Sequence, residues 1–372
     1  MRVKEGLVEF EVPKDYLSKK HFFNPKMELA RDLTVLILNT LNLKDSIICD
    51  ALAGIGARGI RIAKECKAKE VWLNDLSKDA VSFIKKNVSL NKVEEKVKIL
   101  NEEANSLLVQ NKRKFDYIDI DPFGSPSYYF DSCAQALKRK SFFGFSATDT
   151  APLSGVNPLT CFRRYGIKSY KTDFFKELGL RILISSVTLS FSKWFLCFTP
   201  ILSYSSHHYY RIFGRVEKKR SKTNQSLKKN LAFLNYCPKC SWRKISKEPL
   251  TKCEFCGSKT EIIGKIWKGK IEDVNFIQAC EKKLSKVDWL KTENKIRRLI
   301  VFLKNENIPF YYEIHKLCKK HKLGIPNFKE LQDSLKNEGF EGERTHFCEN
   351  GIKTNSSLKD LLKLIKNLKP IR

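Results

Sequence analysis

No stretch of about 18 residues is both apolar and free of charge, so a membrane-spanning helix is not expected. The most apolar stretch, residues 182–202, is interrupted by Ser185, Ser186, Ser190, Ser192 and Lys193. The first twenty residues are too charged for a secretory leader. There is no internal repeat and no low-complexity tract. The six histidines have no metal-ligand spacing, and no His–Asp pair offers an acid for hydride transfer. His207 and His208 precede an aromatic-rich strand and read as structural. Acidic residues are scarce: 41 against 70 Lys and Arg, a formal net charge of +29. What remains is a cytoplasmic, non-membrane protein whose surface suits phosphate, so a nucleic acid is the expected partner.

A chain of 372 residues, 42% hydrophobic and 30% charged, can bury a sizeable core and fill two domains. The basic excess is denser in the second half. Residues 217–372 hold 36 Lys and Arg against 18 Asp and Glu, and residues 1–216 hold 34 against 23. That half reads as the part that grips a polyanion. Lys-rich stretches at 112–114, 138–140, 282–283, 297–298 and 316–322 are candidate phosphate contacts, with Arg163, Arg164 and Arg344 the better candidates. Of the twelve cysteines, eight (Cys49, Cys66, Cys133, Cys161, Cys197, Cys280, Cys318, Cys348) are scattered and read as buried thiols of a reducing compartment.

Strand and helix patterns alternate over residues 47–150. Strands are expected at 47–50, 70–75, 97–100, 115–120 and 142–146, with helices at 57–66 and 78–90. This is the α/β pattern of a doubly wound, mostly parallel sheet. A helix over 172–190 and strands at 194–199 and 209–216, a hairpin with a long connection, complete it. The pattern stops near residues 218–224, a linker or basic loop. Residues 1–222 then form one domain. Residues 223–372 form a smaller α+β domain with a cysteine module at 237–256, helices over 275–322 and a winged-helix-like tail at 324–366.

Gly54-Ile-Gly56-Ala-Arg58-Gly59 lies between a strand and a helix, where glycines let backbone N–H groups approach a ligand. Asp75 ends the next strand and can accept ribose hydroxyls. This serves a nicotinamide dinucleotide and S-adenosylmethionine alike. Asp50 favours the second: a carboxylate before the glycines would repel a pyrophosphate but can face an ammonium. The position of the block 119–126, Asp-Ile-Asp-Pro-Phe-Gly-Ser-Pro, agrees, because it follows the fourth strand, where such a sheet places its reaction centre. Asp121 can accept an N–H of an exocyclic amine and act as general base. Pro122 stiffens the turn, and Phe123 offers a face for stacking. The same string also reads as a plain turn over a buried Phe.

Cys237-x-x-Cys240 and Cys253-x-x-Cys256 are two C-x-x-C units separated by twelve residues, the pattern that gives four thiolates to a structural, tetrahedral Zn²⁺. An iron–sulfur cluster takes the same number of thiolates. A redox pair would need thioredoxin-like surroundings, which are missing.

These strings together resemble the tRNA guanine-26 N2-dimethyltransferases, class I S-adenosylmethionine-dependent methyltransferases. The resemblance is carried by Phe22-Phe23-Asn24-Pro25 with Arg31-Asp32, by residues 50–61, Asn74-Asp75, 119–126 and 147–153, and by Arg344-Thr-His-Phe347 and Gly351-Ile-Lys-Thr354. It covers most of the chain. It implies Asp121 as the catalytic carboxylate, with Phe123 and Phe22 sandwiching a flipped guanine beside Pro122. Cofactor contacts are implied for Arg31, Asp50, Gly54, Gly56, Arg58 and Asp75. Glu103-Ala104 stands where Asp-Ala is familiar and implies a contact with the adenine amino group. Phe22-Phe23 replaces a familiar Phe-Tyr. The rival readings are an amino-methyltransferase of another nucleic acid or of protein, and a catalytically inert RNA-binding module. The presence of both Asp121 and Asp75 argues against the last.

Overall fold

Short apolar strands that bury both faces build the centre of the molecule. The structure is a computed structural model that describes residues 1–14, 23–206 and 208–370. The chain opens with a hairpin, β1 (Arg2–Glu5) and β2 (Val8–Glu11), then helix α1 (Glu28–Leu41). An alternating run follows: β3 (Ile47–Asp50), α2 (Ala57–Glu65), β4 (Glu70–Asn74), α3 (Lys78–Asn91), β5 (Val97–Leu100), α4 (Ala104–Gln110), β6 (Phe115–Ile120), α5 (Phe130–Ala136) and β7 (Leu137–Ala147). Helices α6 (Thr150–Leu153), α7 (Pro158–Tyr165) and α8 (Phe175–Ser192) lead into a long hairpin, β8 (Leu196–Ser206) and β9 (Tyr209–Lys218). The seven-stranded sheet has the order β5-β4-β3-β6-β7-β9-β8, and only β9 runs against its neighbours. Residues alternate between two apolar layers. In β4, Val71 and Leu73 enter one layer and Trp72 the other, as a strand covered on both faces requires. The chain reverses its winding between β3 and β6, and Asp50 pairs in register with Asp119 there. The carboxyl ends of these strands form the crevice in which such sheets bind ligands.

The second half begins with α9 (Arg220–Asn230) and a three-stranded antiparallel sheet, β10 (Leu231–Tyr236), β11 (Arg243–Ser246) and β12 (Glu261–Trp267). Helices α10 (Val274–Leu284) and α11 (Glu293–Asn305) follow. Their apolar residues at helical spacing (Phe276, Ile277, Cys280 and Ile296, Leu299, Ile300) share a core with Leu33, Leu36 and Ile37 of α1. The chain ends in β13 (Tyr312–Glu313), α12 (Ile314–His321), α13 (Phe328–Asn337), the hairpin β14 (Glu343–Thr345) and β15 (Cys348–Lys353), and α14 (Leu358–Asn367). Residues 324–366, read from sequence as a winged-helix-like tail, hold α13, the β14–β15 hairpin and most of α14. No described helix is long and apolar enough to cross a membrane.

Three local expectations are corrected. Residues 220–230 are helical rather than a loop; this helix buries only Thr223, so it carries no apolar period to read. Strand β8 runs on to Ser206, which pairs with Tyr209 and leaves a two-residue connection instead of a long one. Its serines concealed the extension. Cys197 and Cys348 are only half-buried, whereas the other six scattered cysteines are buried.

Candidate active site

A cavity of about 620 Å³ opens at the carboxyl ends of β3, β4 and β6. The glycine turn forms one wall. Gly54 and Gly56 have φ of 57° and 84°, values that cost an L-residue strain. Gly56 caps α2 with no side chain, and Ala57 and Arg58 of the first helical turn line the cavity. Gly59 has a packing role: a Cβ there would lie 1.9 Å from Leu73 Cδ2.

Asp75 clasps this turn. Its Oδ2 accepts Gly54 N–H at 2.9 Å and its Oδ1 accepts Ser77 N–H at 3.0 Å. Burial raises its carboxyl above the ordinary value, and the two backbone N–H groups oppose that. Each oxygen keeps a lone pair for a diol. Asp50 lies deeper. Its Oδ2 is buried and has no hydrogen-bond partner among the described residues. Burial pushes its carboxyl up to about 7; Arg58 pulls it down, and Asp119 and Asp121 add to the rise. A buried carboxylate oxygen without a partner is expensive, and a cationic N–H donor is what it lacks.

Asp121 stands in the same cavity, with Pro122 and Phe123. The structure adds a partner that the sequence did not show: Arg58 Nη2 is ion-paired to Asp121 Oδ2. Arg58 also reaches Asp119 Oδ1 at 3.3 Å through Nε and Thr34 Oγ1 at 2.9 Å through Nη1. Arg211 Nη1 lies 3.0 Å from Asp119 Oδ1, and Arg211 Nη2 and the Tyr117 hydroxyl close on Oδ2. Burial works to raise Asp119, but Arg211 and Arg58 outweigh it and hold it below the ordinary value. Asp119 thus anchors Arg58, and Arg58 anchors Asp121. Asp121 Oδ1 has no hydrogen bond among the described residues. Phe123 sits at the mouth with 83% of its surface exposed. Its loop is fixed by Gly124 N–H donating to Thr148 Oγ1 at 2.7 Å and Thr148 N–H donating to Gly124 O at 3.0 Å.

Other expected residues fall differently. Phe22 lies outside the described residues. Phe23 is buried and lines the cavity, with the Arg31 guanidinium 5.0 Å from its ring centre. Arg31 lines the cavity too, but Nε and Nη2 are bound to Glu5 at 2.7 and 2.5 Å, which leaves Nη1 for a ligand. Glu103 and Ala104 are not in the lining. Glu103 caps α4 instead, accepting Asn105 N–H at 2.9 Å and Ser106 N–H at 2.8 Å. His208, read as structural, lines the cavity beside Tyr209, because the long β8–β9 hairpin carries its tip there; His207 lies outside the described residues. Tyr129, Asn24, Met27 and Thr148 also line it. Tyr129 follows Asp121 by eight residues on the same loop, and only that proximity could have pointed to it. The hairpin is tied to the second half of the chain, since Ser205 N–H donates to His346 Nε2 at 3.3 Å.

The four paired cysteines converge. Their sulfurs all lie within 4.8 Å of one another, Cys237 to Cys256 at 3.6 Å and Cys240 to Cys253 at 3.5 Å. Zn–S bonds of ~2.3 Å in a tetrahedron put sulfurs about 3.8 Å apart, so the set fits Zn²⁺. Each unit closes with the same turn: Ser241 N–H donates to Cys237 O and Gly257 N–H to Cys253 O, both at 2.9 Å. Helix α12 braces the first, with Lys320 Nζ 2.8 Å from Pro238 O and from Ser241 Oγ.

The model of the family described as N2,N2-dimethylguanosine tRNA methyltransferase matches residues 6–366. The tRNA (guanine(26)-N(2))-dimethyltransferase of Methanobrevibacter smithii is 35% identical over 383 residues, covering 98% of this chain and 97% of that protein. The enzyme of the same name from Pyrococcus horikoshii is 31% identical over 384 residues, covering 99% and 98%. The solved structure of Trm1 from Pyrococcus horikoshii with S-adenosyl-L-methionine superposes with a TM-score of 0.91 at 32% identity, covering 99% of this chain and 100% of that one.

Proposed function

The chain belongs to the N2,N2-dimethylguanosine tRNA methyltransferase family, and from that premise we propose that it methylates the exocyclic N2 of a guanine in tRNA, at position 26, with S-adenosylmethionine as donor. The observation that carries this is the convergence of Asp50, Asp75 and Asp121 on one cavity with Phe123 at its mouth. Asp75 and the Gly54–Gly56 turn suit a ribose, and the unpartnered Asp50 oxygen suits the ammonium of the methionine moiety. Arg31 Nη1 suits its carboxylate. When bound, S-adenosylmethionine supplies a methyl group on a positively charged sulfur.

The chain's own residues do the rest. The amino nitrogen of guanine is a poor nucleophile because its lone pair is delocalised into the ring. Asp121 Oδ1 accepts one of its N–H bonds, draws the lone pair onto nitrogen and takes the proton as transfer completes. Arg58 holds Oδ2, so that Asp121 meets the base in a fixed orientation. Phe123 supplies a stacking face worth about 1–3 kcal/mol, which offsets the few kcal/mol needed to extrude a base from the tRNA stack.

Residues 1–222 are the catalytic unit in this reading. Residues 223–372, with zinc at Cys237, Cys240, Cys253 and Cys256, grip the rest of the tRNA. A reducing cytoplasm suits the buried thiols. Incubation with labelled donor and unmodified tRNA, followed by nucleoside analysis, should yield N2-methyl- and N2,N2-dimethylguanosine. Label recovered in another nucleoside, or in protein, would overturn the assignment.

A further inference from the structure

Helix α7 is apolar on its exposed side as well as its buried one. Leu159 and Phe162, three residues apart and so on one side, are 72% and 57% exposed, whereas Cys161 and Tyr165 are buried. The exposure is not looseness. Tyr165 OH donates to Asp149 Oδ1 at 2.7 Å, Arg164 Nη1 to Asp149 Oδ2 at 2.9 Å, and Ser169 Oγ to Pro152 O at 2.6 Å. Gly155, at φ 87°, runs so close to the backbone of the next segment that a Cβ would lie 2.2 Å from the Tyr170 carbonyl carbon. The protein thus holds a braced apolar face in water.

Two observations identify what covers it. Residues 150–172 contain Arg163, Arg164, Lys168 and Lys171 and no acid. Arg164 is paired with Asp149 and Glu261 lies in the groove with Lys168 and Lys171, so the surroundings of the apolar face are cationic in excess, with Arg163 unpaired by any acid among the described residues. Helix α7 is also tied to the rim of the cavity through Asp149. Asp149, which anchors Arg164 and Tyr165, follows Thr148, which lines the cavity and holds the loop of Phe123. An apolar face rimmed by cations beside a base-sized cavity fits a strand with phosphates outside and unstacked bases inside.

We infer that the exposed face of α7 receives the RNA strand flanking the extruded guanine. Leu159 and Phe162 contact bases left without a stacking neighbour, and Arg163 meets a phosphate. The inference rests on the tRNA methyltransferase reading and adds a second RNA-contacting element, outside the catalytic loop and outside the basic second half.

The test compares full-length wild type with Phe162→Ala, Leu159→Ala and the double variant. Three quantities are read: tRNA affinity, KM for tRNA in methyl transfer, and cofactor affinity. Loss of one stacking contact should raise the tRNA Kd and KM about 5- to 150-fold, with the cofactor Kd within twofold of wild type. Arg163→Gln should lower the salt slope of tRNA binding by about one. A double variant that melts like wild type and binds tRNA equally well would overturn the inference. So would wild-type self-association, or binding to phosphatidylserine-containing vesicles, that the double variant loses. If wild type transfers no methyl to tRNA, the functional reading fails, and the binding measurement still decides what α7 contacts.

Discussion

At Asp50, burial works against the pull of Arg58, and the outcome is measurable. Its carboxyl is pushed up to about 7, against about 3.9 in an unfolded chain. Between those values the folded protein holds a proton that the unfolded chain has released. Asp50's contribution is therefore fully present below pH 4 and is lost as pH rises to 7. An ammonium ligand needs the charged form, so cofactor affinity should rise with pH up to about 7 and then level, with a proton released on binding. Asp50→Asn should flatten the profile. Calorimetry in buffers of different ionisation enthalpy checks this; a wild-type affinity independent of pH between 5.5 and 7.5 would count against the ammonium role. Asp50, Asp75 and Asp121 were legible because each ends a strand, and strand ends converge in this fold. Arg58 was legible as a cavity residue but not as the partner of Asp121, which lies 63 residues away. The capping of α4 by Glu103 was not legible in a motif match.

Among the elements, the β8–β9 hairpin does the most that the sequence concealed. Its tip brings His208 and Tyr209 to the cavity, and Ser205 near that tip is held by His346. His346 Nδ1 is in turn 2.8 Å from Glu306 Oε1. Burial works to raise Glu306, but His346 and Lys353 outweigh it and hold its carboxyl down at about 2. The Arg344-Thr-His-Phe347 string, noticed only as a resemblance, thereby acquires a physical role as a strut from the second half to the hairpin whose tip lines the cavity. His346→Ala should speed hydrogen exchange at the hairpin tip and lower kcat several-fold, with tRNA affinity kept. Unchanged exchange there would show that the strut bears no load. The strands of the parallel sheet were legible from alternation alone. Helix α9 was not, since a solvated helix leaves no apolar period.

For the whole molecule, charge and metal divide the labour. The +29 surface makes tRNA affinity fall steeply with salt, a property legible in composition. The four-cysteine site was legible in its spacing, and one equivalent of zinc is expected in the purified protein. Because the cysteines share a core with α12, α13 and α14 and α12 packs on the first cysteine turn, stripping the zinc should unfold the cysteine module and the tail and abolish tRNA binding while cofactor binding persists. Circular dichroism and tRNA binding before and after chelation check this; full tRNA affinity after metal loss would refute the structural role. The seam between the halves was not legible. Helices α10 and α11 bury their apolar faces against α1, and no local pattern names the partner of such a face.

The central claim is that Asp121, oriented by Arg58 in the cofactor cavity, accepts the N–H of the guanine amine. Methyl transfer to unmodified tRNA by Asp121→Ala tests it most directly, with tRNA and cofactor affinities measured alongside. The account predicts a loss of about 10²- to 10⁴-fold in turnover, with both affinities within threefold of wild type. Turnover within tenfold of wild type would contradict it.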